Sequence, residues 1–245
     1  MKIYAPLLAA GALLTPLFAY AGPSDYVYTP TVEYGEKEID FKLGTADSGS
    51  DPRESASSLG LGYGATEWWF TEIYAKFKKQ NDESTQFDAI EWENKFQLTD
   101  PGKYPVDAGF IVEVEKPHDS TEGWEFRYGP LFQTEFGKFQ LNTNLLLESK
   151  VDDAANAPTV FQYQWQAKYR WQQRLEFGLQ GFGETGKWND WSSVNNQEHK
   201  LGPAVFGKMP VTDKQFISYN AAWLIGTTAS SPDHTLRVQI EYEFY

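Results

Sequence analysis

Apolar and polar side chains alternate one for one along residues 161–170, and Trp171 continues the apolar set. Successive side chains of a β-strand point to opposite faces, so one face here carries aromatic residues and the other carries amides and basic groups. A broad apolar face backed by a polar one is typical of a wall that separates lipid from water. The pattern therefore predicts a strand of a transmembrane β-barrel.

The same alternation recurs along most of the chain and predicts an all-β, antiparallel, up-and-down barrel. We expect about 12 strands, with roughly 10–14 compatible with the pattern, because each tilted transmembrane strand needs ~9–11 residues. Residues 66–79 also fit an amphipathic helix, but Trp69, Ile73 and Phe77 share a period-two face that favours a strand. The clearest alternating runs are residues 106–114, 139–147, 175–179, 217–225 and 236–244.

Other segments fit a strand less cleanly. Residues 59–63 are glycine-rich, Pro203 lies within residues 201–208, and Gly129-Pro130 follows an alternating run. Proline and glycine mark bulges or bends in strands. The predicted connections mostly alternate between long and short, as they do when loops face one side of a membrane and turns face the other. The connection at residues 99–105 departs from this alternation.

The beginning of the chain has the pattern of a secretory signal. Lys2 precedes an apolar run at residues 5–18, and Ala19-Tyr20-Ala21 matches a small-residue cleavage site. The run is too short and too interrupted by proline and glycine for a transmembrane helix. We therefore expect residues 1–21 to be a signal peptide, cleaved near Ala21, and residues 22–245 to form one barrel.

Composition narrows the possible functions. Cysteine is absent, so no disulfide framework stabilises an exported chain. The formal net charge of −13 disfavours nucleic acid as a partner. Aromatic residues reach 16%, although the mean hydropathy of −0.53 is polar. A membrane barrel reconciles these values, because half of each strand faces water and aromatics collect at the interfaces.

These features resemble the outer-membrane β-barrel proteins of Gram-negative bacteria. The Sec-type signal, the amphipathic strands and a closing strand at residues 236–245 carry the resemblance. It implies a bacterial outer-membrane location, contact with membrane lipids, and recognition of the closing strand by the barrel-assembly machinery. In this family the chain usually ends on the outward aromatic residue, whereas here Tyr245 follows the in-phase Phe244.

Two shorter segments, residues 32–40 and 201–208, resemble uncharacterised exported proteobacterial proteins that are sometimes grouped with transporters of the phenol meta-pathway type. This resemblance implies a transporter-like role. It transfers no functional residue.

The inward face is rich in ionisable side chains, and an acidic lumen would favour cations. The alternative is an interior filled by paired charges and trapped water. Eight strands leave room only for side chains and sixteen leave a channel, so about 12 strands fall between these cases. The predicted lumen-lining residues are Glu72, Glu91, Glu93, Glu113, Glu115, Glu125, Arg127, Lys168, Arg170, Glu176, Glu184, Arg237 and Glu241.

Trp188 and Trp191 fall in the longest predicted loop. They could stack on a sugar or aromatic ligand, but a place in the interfacial aromatic girdle or over the pore mouth is favoured, because Trp is common at that depth. His118, His199 and His234 show no metal-binding or hydrolase spacing, so no catalytic residue, metal or cofactor is expected.

Three functions are compatible with this pattern. The favoured one is a small pore or transporter-like channel for small solutes, which would be cationic or aromatic. The second is a closed barrel with lipid-modifying or ligand-binding activity at its outer rim. The third is a soluble periplasmic barrel or sandwich, in which the apolar faces would form a protein core instead of contacting lipid.

Overall fold

The computed structural model describes residues 22–49, 53–81, 83–154 and 156–245. The predicted signal peptide therefore lies outside the described residues. Most of the described chain is β-strand, with a short 3-10 helix at Val194–Asn196. The strands are β1 Lys37–Asp47, β2 Glu54–Gly64, β3 Trp69–Gln80, β4 Gln86–Gln97, β5 Asp107–Pro117, β6 Trp124–Phe136, β7 Phe139–Val151, β8 Val160–Gln172, β9 Leu175–Lys187, β10 Asp190–Trp191, β11 Glu198–Thr212, β12 Gln215–Gly226 and β13 His234–Phe244.

Twelve antiparallel strands form a closed ring, and the two-residue strand β10 lies outside it. Each strand pairs with its neighbours in the sequence, β9 pairs with β11, and β1 pairs with β13 to close the ring. Closure satisfies the backbone N–H and C=O groups that an open sheet edge would leave unpaired in a membrane. The predicted up-and-down barrel is confirmed. Among the described residues, no α-helix is long and apolar enough to cross a bilayer.

The outer surface of the ring is an apolar belt. Leu61, Ile73 and Leu236 are each more than half exposed, whereas inward neighbours such as Gln164 and Gln239 are buried. Soluble monomers rarely expose such a large continuous apolar surface. A belt of this kind is suited to acyl chains, while polar side chains occupy the interior.

The segments that fitted the pattern less cleanly are also strands. Residues 69–80 form β3, so the helical alternative was wrong. Strand β6 runs through Gly129-Pro130, and its register with β7 passes from Tyr128 opposite Leu147 to Leu131 opposite Asn144. Pro203 lies in β11 on the outward face, opposite Leu179.

The two ends of the barrel differ in their connections. Short turns at residues 65–68, 137–138, 173–174 and 213–214 lie at the end where β1 begins and β13 ends, here called the short-turn end. The longer connection at residues 98–106 is also at this end and extends one residue beyond each side of the predicted turn. Loops such as 152–159 and 188–197 lie at the opposite, long-loop end. The predicted alternation of long and short connections is therefore present.

An arginine on the belt should be costly if the belt contacts lipid. Leu179 lies near the middle of β9 and faces outward. We expect Leu179→Arg to destabilise the barrel folded in lipid vesicles by roughly 2–4 kcal/mol, as arginine does near a bilayer midplane. Val194→Arg, in the exposed part of the longest loop, is the control. Equal stability of the two variants, measured by denaturant titration, would show that lipid does not contact β9.

Candidate functional site: the barrel interior

Residues 22–35, here called the inner segment, precede β1; the segment lies inside the barrel except near its end, where Glu33 and Tyr34 are exposed. Val27, Tyr28 and Pro30 are buried within it. The wall has glycine where the segment passes closest: a side chain at Gly44 would collide with the backbone carbonyl of Pro23, and one at Gly109 would come within 2.9 Å of Pro30. These two glycines therefore make room for a second layer of chain inside the ring.

Apolar contacts hold the inner segment on one side. Val27 packs with Phe182 and Leu224, together with Ala204, Phe206 and Ala222. This cluster covers the inner faces of β9, β11 and β12. Inward apolar side chains are out of place in a water-filled lumen, so their burial against Val27 explains why the wall carries them.

A second apolar cluster holds the segment against another part of the wall, formed by β5, β6 and β7. Tyr28 packs with Ile111, Leu131 and Leu146, and Tyr26 lies against the same group. The inner segment is therefore packed between two parts of the wall, with alternate residues facing opposite sides.

Polar bonds to Arg127 fix Tyr28 in place. Arg127 Nη2 donates to Tyr28 Oη at 2.7 Å, Tyr28 Oη donates to Glu113, and Arg127 Nε also bonds Glu113. Arg127 Nη1 reaches Asp25 at 3.4 Å. A buried charge without partners is expensive, so this network couples the segment to β5 and β6.

Tyr26 makes a matching contact with β4. Its hydroxyl donates to Glu93 Oε2 at 2.5 Å. Burial, and next the negative charge of Glu93, raise the pKa of Tyr26 well above its ordinary value, so the hydroxyl keeps its proton and remains a donor. Burial likewise raises the pKa of Tyr28.

The backbone of the inner segment is also bonded to the wall. With its amide oriented so that donors meet acceptors, Asn144 accepts the Tyr28 N–H at 2.8 Å and donates to the Tyr28 carbonyl at 3.2 Å. The Val32 N–H donates to Gln97 Oε1 at 2.8 Å. Gly35 N–H donates to the Gly64 carbonyl at 2.8 Å where the segment turns into β1.

A cavity of about 580 Å³ remains between the inner segment and the wall. It reaches the short-turn end, where Pro101, Arg170 and Gln173 line it. Its acidic lining residues outnumber its basic ones. The acidic residues are Glu33, Glu38, Asp40, Glu72, Glu93, Glu176 and Glu241, and the basic residues are Lys95, Lys168, Arg170 and Lys208.

Side chains fill the interior towards the long-loop end. Glu148, Gln162, Glu184 and Lys200 are buried there. Gln162 Nε2 donates to Glu148 Oε2 at 2.9 Å, and Lys200 Nζ lies 3.1 Å from Glu198 Oε1. In this conformation the cavity therefore opens towards the short-turn end, while the other half of the lumen is packed.

Only some of the residues predicted to line the lumen are on the wall of this cavity. Lys168 and Arg170 lie 4.0 Å and 3.8 Å from Glu176. The role of the predicted set as the lining of a conducting path stays a prediction. Its members on the cavity wall are Glu72, Glu93, Lys168, Arg170, Glu176 and Glu241.

The other predicted residues are bonded within the wall, away from the cavity. Lys76 lies 3.0 Å from Glu91 and also bonds Glu115. Lys150 lies 3.3 Å from Glu125. Glu113 and Arg127 pair in the network described above.

Two further members of the set are bonded to glutamine side chains. Arg237 Nη1 donates to Gln180 at 2.6 Å, and Gln162 Nε2 lies 3.4 Å from Glu184. Both residues are buried.

The loop tryptophans and His199 lie on the outside of the barrel. Trp188 and Trp191 are more than half exposed, and Trp191 stacks on the outward-facing Phe161 with ring centroids 5.9 Å apart. The two ring nitrogens of His199 lie 2.8 Å from Tyr163 Oη and Gln197 Oε1. These partners occupy both imidazole nitrogens, so His199 is not poised against a nucleophile.

The closed ring with its ionisable interior is a β-barrel of the porin-like fold, and solved structures with a similar fold include outer-membrane channels. An outer-membrane channel from Pseudomonas putida F1 has a TM-score of 0.59 at 11% identity, over 90% of this chain and 98% of that chain. The NanC porin has a TM-score of 0.55 at 10% identity, over 84% and 99%. The KdgM porin has a TM-score of 0.55 at 7% identity, over 85% and 98%.

No protein-family model and no curated protein matches the sequence. The structural likeness therefore establishes the fold, and it confirms the predicted resemblance to porin-like outer-membrane barrels at that level.

Removal of the Tyr28 hydroxyl should loosen the inner segment. We expect Tyr28→Phe to lower the free energy of unfolding by about 1–3 kcal/mol, because buried partners on Arg127 and Glu113 lose a hydrogen bond. Tyr34→Phe is the matched control, since Tyr34 belongs to the same segment but is 64% exposed. Denaturant titration in lipid vesicles measures both, and equal losses would contradict the anchoring role.

Proposed function

We propose that this protein is an outer-membrane channel whose lumen is narrowed by its own inner segment. The cavity between that segment and the wall supports the proposal, because it is an ionisable, water-accessible space inside a barrel with an apolar outer belt. The packed half of the lumen represents the closed state of such a channel. Displacement of residues 22–35, together with rearrangement of the wall side chains around Glu148 and Lys200, would join the cavity to the long-loop end.

The solutes we propose are small and cationic or aromatic. Carboxylates outnumber basic groups on the cavity wall, which lowers the entry barrier for positive charge. Aromatic rings of Tyr26, Phe70, Tyr74 and Phe206 line the same space and offer faces for stacking or for cations.

Location and assembly belong to the same proposal. The apolar belt supports insertion among outer-membrane lipids. Sec export and signal cleavage near Ala21 are proposed from the sequence pattern of residues 1–21 alone. Strand β13 supports recognition by the barrel-assembly machinery, because it closes the ring with β1 and places Val238, Ile240 and Tyr242 on the outward face.

Conductance in planar bilayers tests the channel directly. We expect small current steps from the full barrel and a severalfold larger conductance from a variant lacking residues 22–34, because that variant loses the chain that fills the lumen. Absence of current steps from both proteins would contradict the proposal and favour a closed barrel.

A reducible disulfide between the inner segment and the wall tests the same role of the segment if the deletion variant does not fold. The sequence has no cysteine, so Val32→Cys combined with Gln97→Cys introduces a single pair of thiols. The two sites are already joined by a 2.8 Å hydrogen bond. We expect the oxidised variant to conduct less than the same protein after reduction. Equal conductance before and after reduction would show that the inner segment does not control the pore.

Ion selectivity tests the acidic lining. We expect Glu176→Gln to lower the cation-to-anion permeability ratio by up to roughly fivefold, since a unit charge about 4 Å from an ion in water contributes about 1 kcal/mol. Glu67→Gln is the control, because Glu67 is exposed in a turn at the same end and does not line the cavity. Reversal potentials in a salt gradient measure the ratio. An equal change in both variants would show that cavity charge does not set selectivity.

A further inference from the structure

Among the described residues, the interior contains two clusters of three carboxylates, and the two clusters differ in the hydrogen bonds and basic groups that balance their charge. Within each cluster, one oxygen from every residue lies within 4.8 Å of the others. In the first cluster, Glu91 pairs with Lys76, Glu93 accepts from Tyr26, and Glu113 pairs with Arg127. Its negative charge is therefore balanced by basic side chains and by the inner segment.

The second cluster consists of Glu38 and Asp40 on β1 and Glu241 on β13. Asp40 lies directly opposite Glu241 in the register of the two strands. All three carboxylates line the cavity. The cluster therefore faces open space instead of the packed inner segment.

The two oxygens of Asp40 have different environments. Oδ2 accepts from Tyr74 Oη at 2.8 Å and from Gln239 Nε2 at 3.1 Å, and it lies 3.2 Å from Lys42 Nζ. Oδ1 is buried and has no hydrogen-bond partner among the described residues. A buried carboxylate oxygen without a partner is costly, which points to a ligand that supplies positive charge.

Two glycines on β2, which leave a gap in the inner layer of side chains, allow a fourth carboxylate to approach the second cluster. Strand β2 carries glycine at positions 60 and 62, between β1 and β3. Glu72 of β3 leans across this gap, so that a side chain at Gly60 would collide with Glu72 Oε1. Glu72 is among the residues that line the cavity, and its Oε1 is buried and has no hydrogen-bond partner within the described part of the chain.

We propose that Glu38, Asp40 and Glu241, with Glu72 across the glycine gap, form a binding site for a hard divalent cation such as Ca²⁺. Calcium takes oxygen ligands at 2.3–2.6 Å, so two oxygens on one ion are at most about 5.2 Å apart. One oxygen each from Glu38, Asp40 and Glu241 lie within 4.8 Å of one another and meet this limit. Cavity water completes the coordination. The site follows from the wall geometry and does not depend on whether the barrel conducts.

The basic groups near the site leave its negative charge in excess. Lys42 contacts Asp40, and its ammonium lies 3.4 Å and 3.7 Å from the ring centroids of Tyr26 and Tyr74. Lys208 is engaged by Glu243. Lys95 and Arg237 also lie within electrostatic reach of Glu241. Three basic groups therefore face four carboxylates, and a divalent ion would offset the remaining negative charge.

Calcium titration of the full barrel tests the site. Isothermal titration with CaCl₂ in detergent measures affinity, and Tb³⁺ luminescence sensitised by the nearby tyrosines reports occupancy. We expect Glu38→Gln combined with Glu241→Gln to weaken binding at least about tenfold, because Ca²⁺ affinity depends on the number of charged ligands. Glu148→Gln combined with Glu184→Gln removes the same charge at the packed long-loop end and should leave binding unchanged.

A second variant separates site geometry from net charge. Gly60→Ala keeps every carboxylate but places a methyl group where Glu72 Oε1 now lies, so we expect it to weaken binding as well. Circular dichroism and thermal unfolding without metal establish that each variant is folded. Wild-type protein that binds neither Ca²⁺ nor Tb³⁺, or an equal loss in the long-loop control, would overturn the proposal.

Discussion

A ring of twelve strands encloses more space than its own inward side chains fill, and this excess volume shapes the rest of the interior. Eight-stranded barrels are filled by side chains, whereas barrels of sixteen or more strands leave a channel. Here the inner segment occupies part of the difference, packed by Val27 on one side and Tyr28 on the other. The rest of that volume is the cavity, and its charged lining includes the residues of the proposed cation site.

The wall of the barrel could be predicted from the sequence because lipid and water impose opposite preferences on alternate residues. Alternation located even β3, where a helix also fitted, since Trp69, Ile73 and Phe77 share one face of the strand. It sorted inward from outward positions along residues 161–170 for the same reason. Glycine and proline obscured the pattern in β6 and β11, where Pro130 and Pro203 remain within strands.

The contents of the lumen could not be predicted in the same way. Residues 22–35 have no strand periodicity, and their contacts join positions far apart in the chain, such as Tyr28 and Glu113. A signal was nevertheless present: Ile111, Phe182 and Leu224 are apolar on a face that is otherwise polar. The spatial separation of carboxylates into cavity and packed regions also depends on where this segment lies, so inward orientation alone could not assign them.

The position of the inner segment constrains the order of events during folding. It leads directly into β1, and β1 forms the seam of the ring with β13, which is synthesised after the other strands of the ring. The segment must therefore be enclosed as the seam seals, or enter afterwards through an open mouth while still covalently attached to the first strand. Insertion of the barrel and burial of Val27 and Tyr28 are in this way coupled steps of one assembly process.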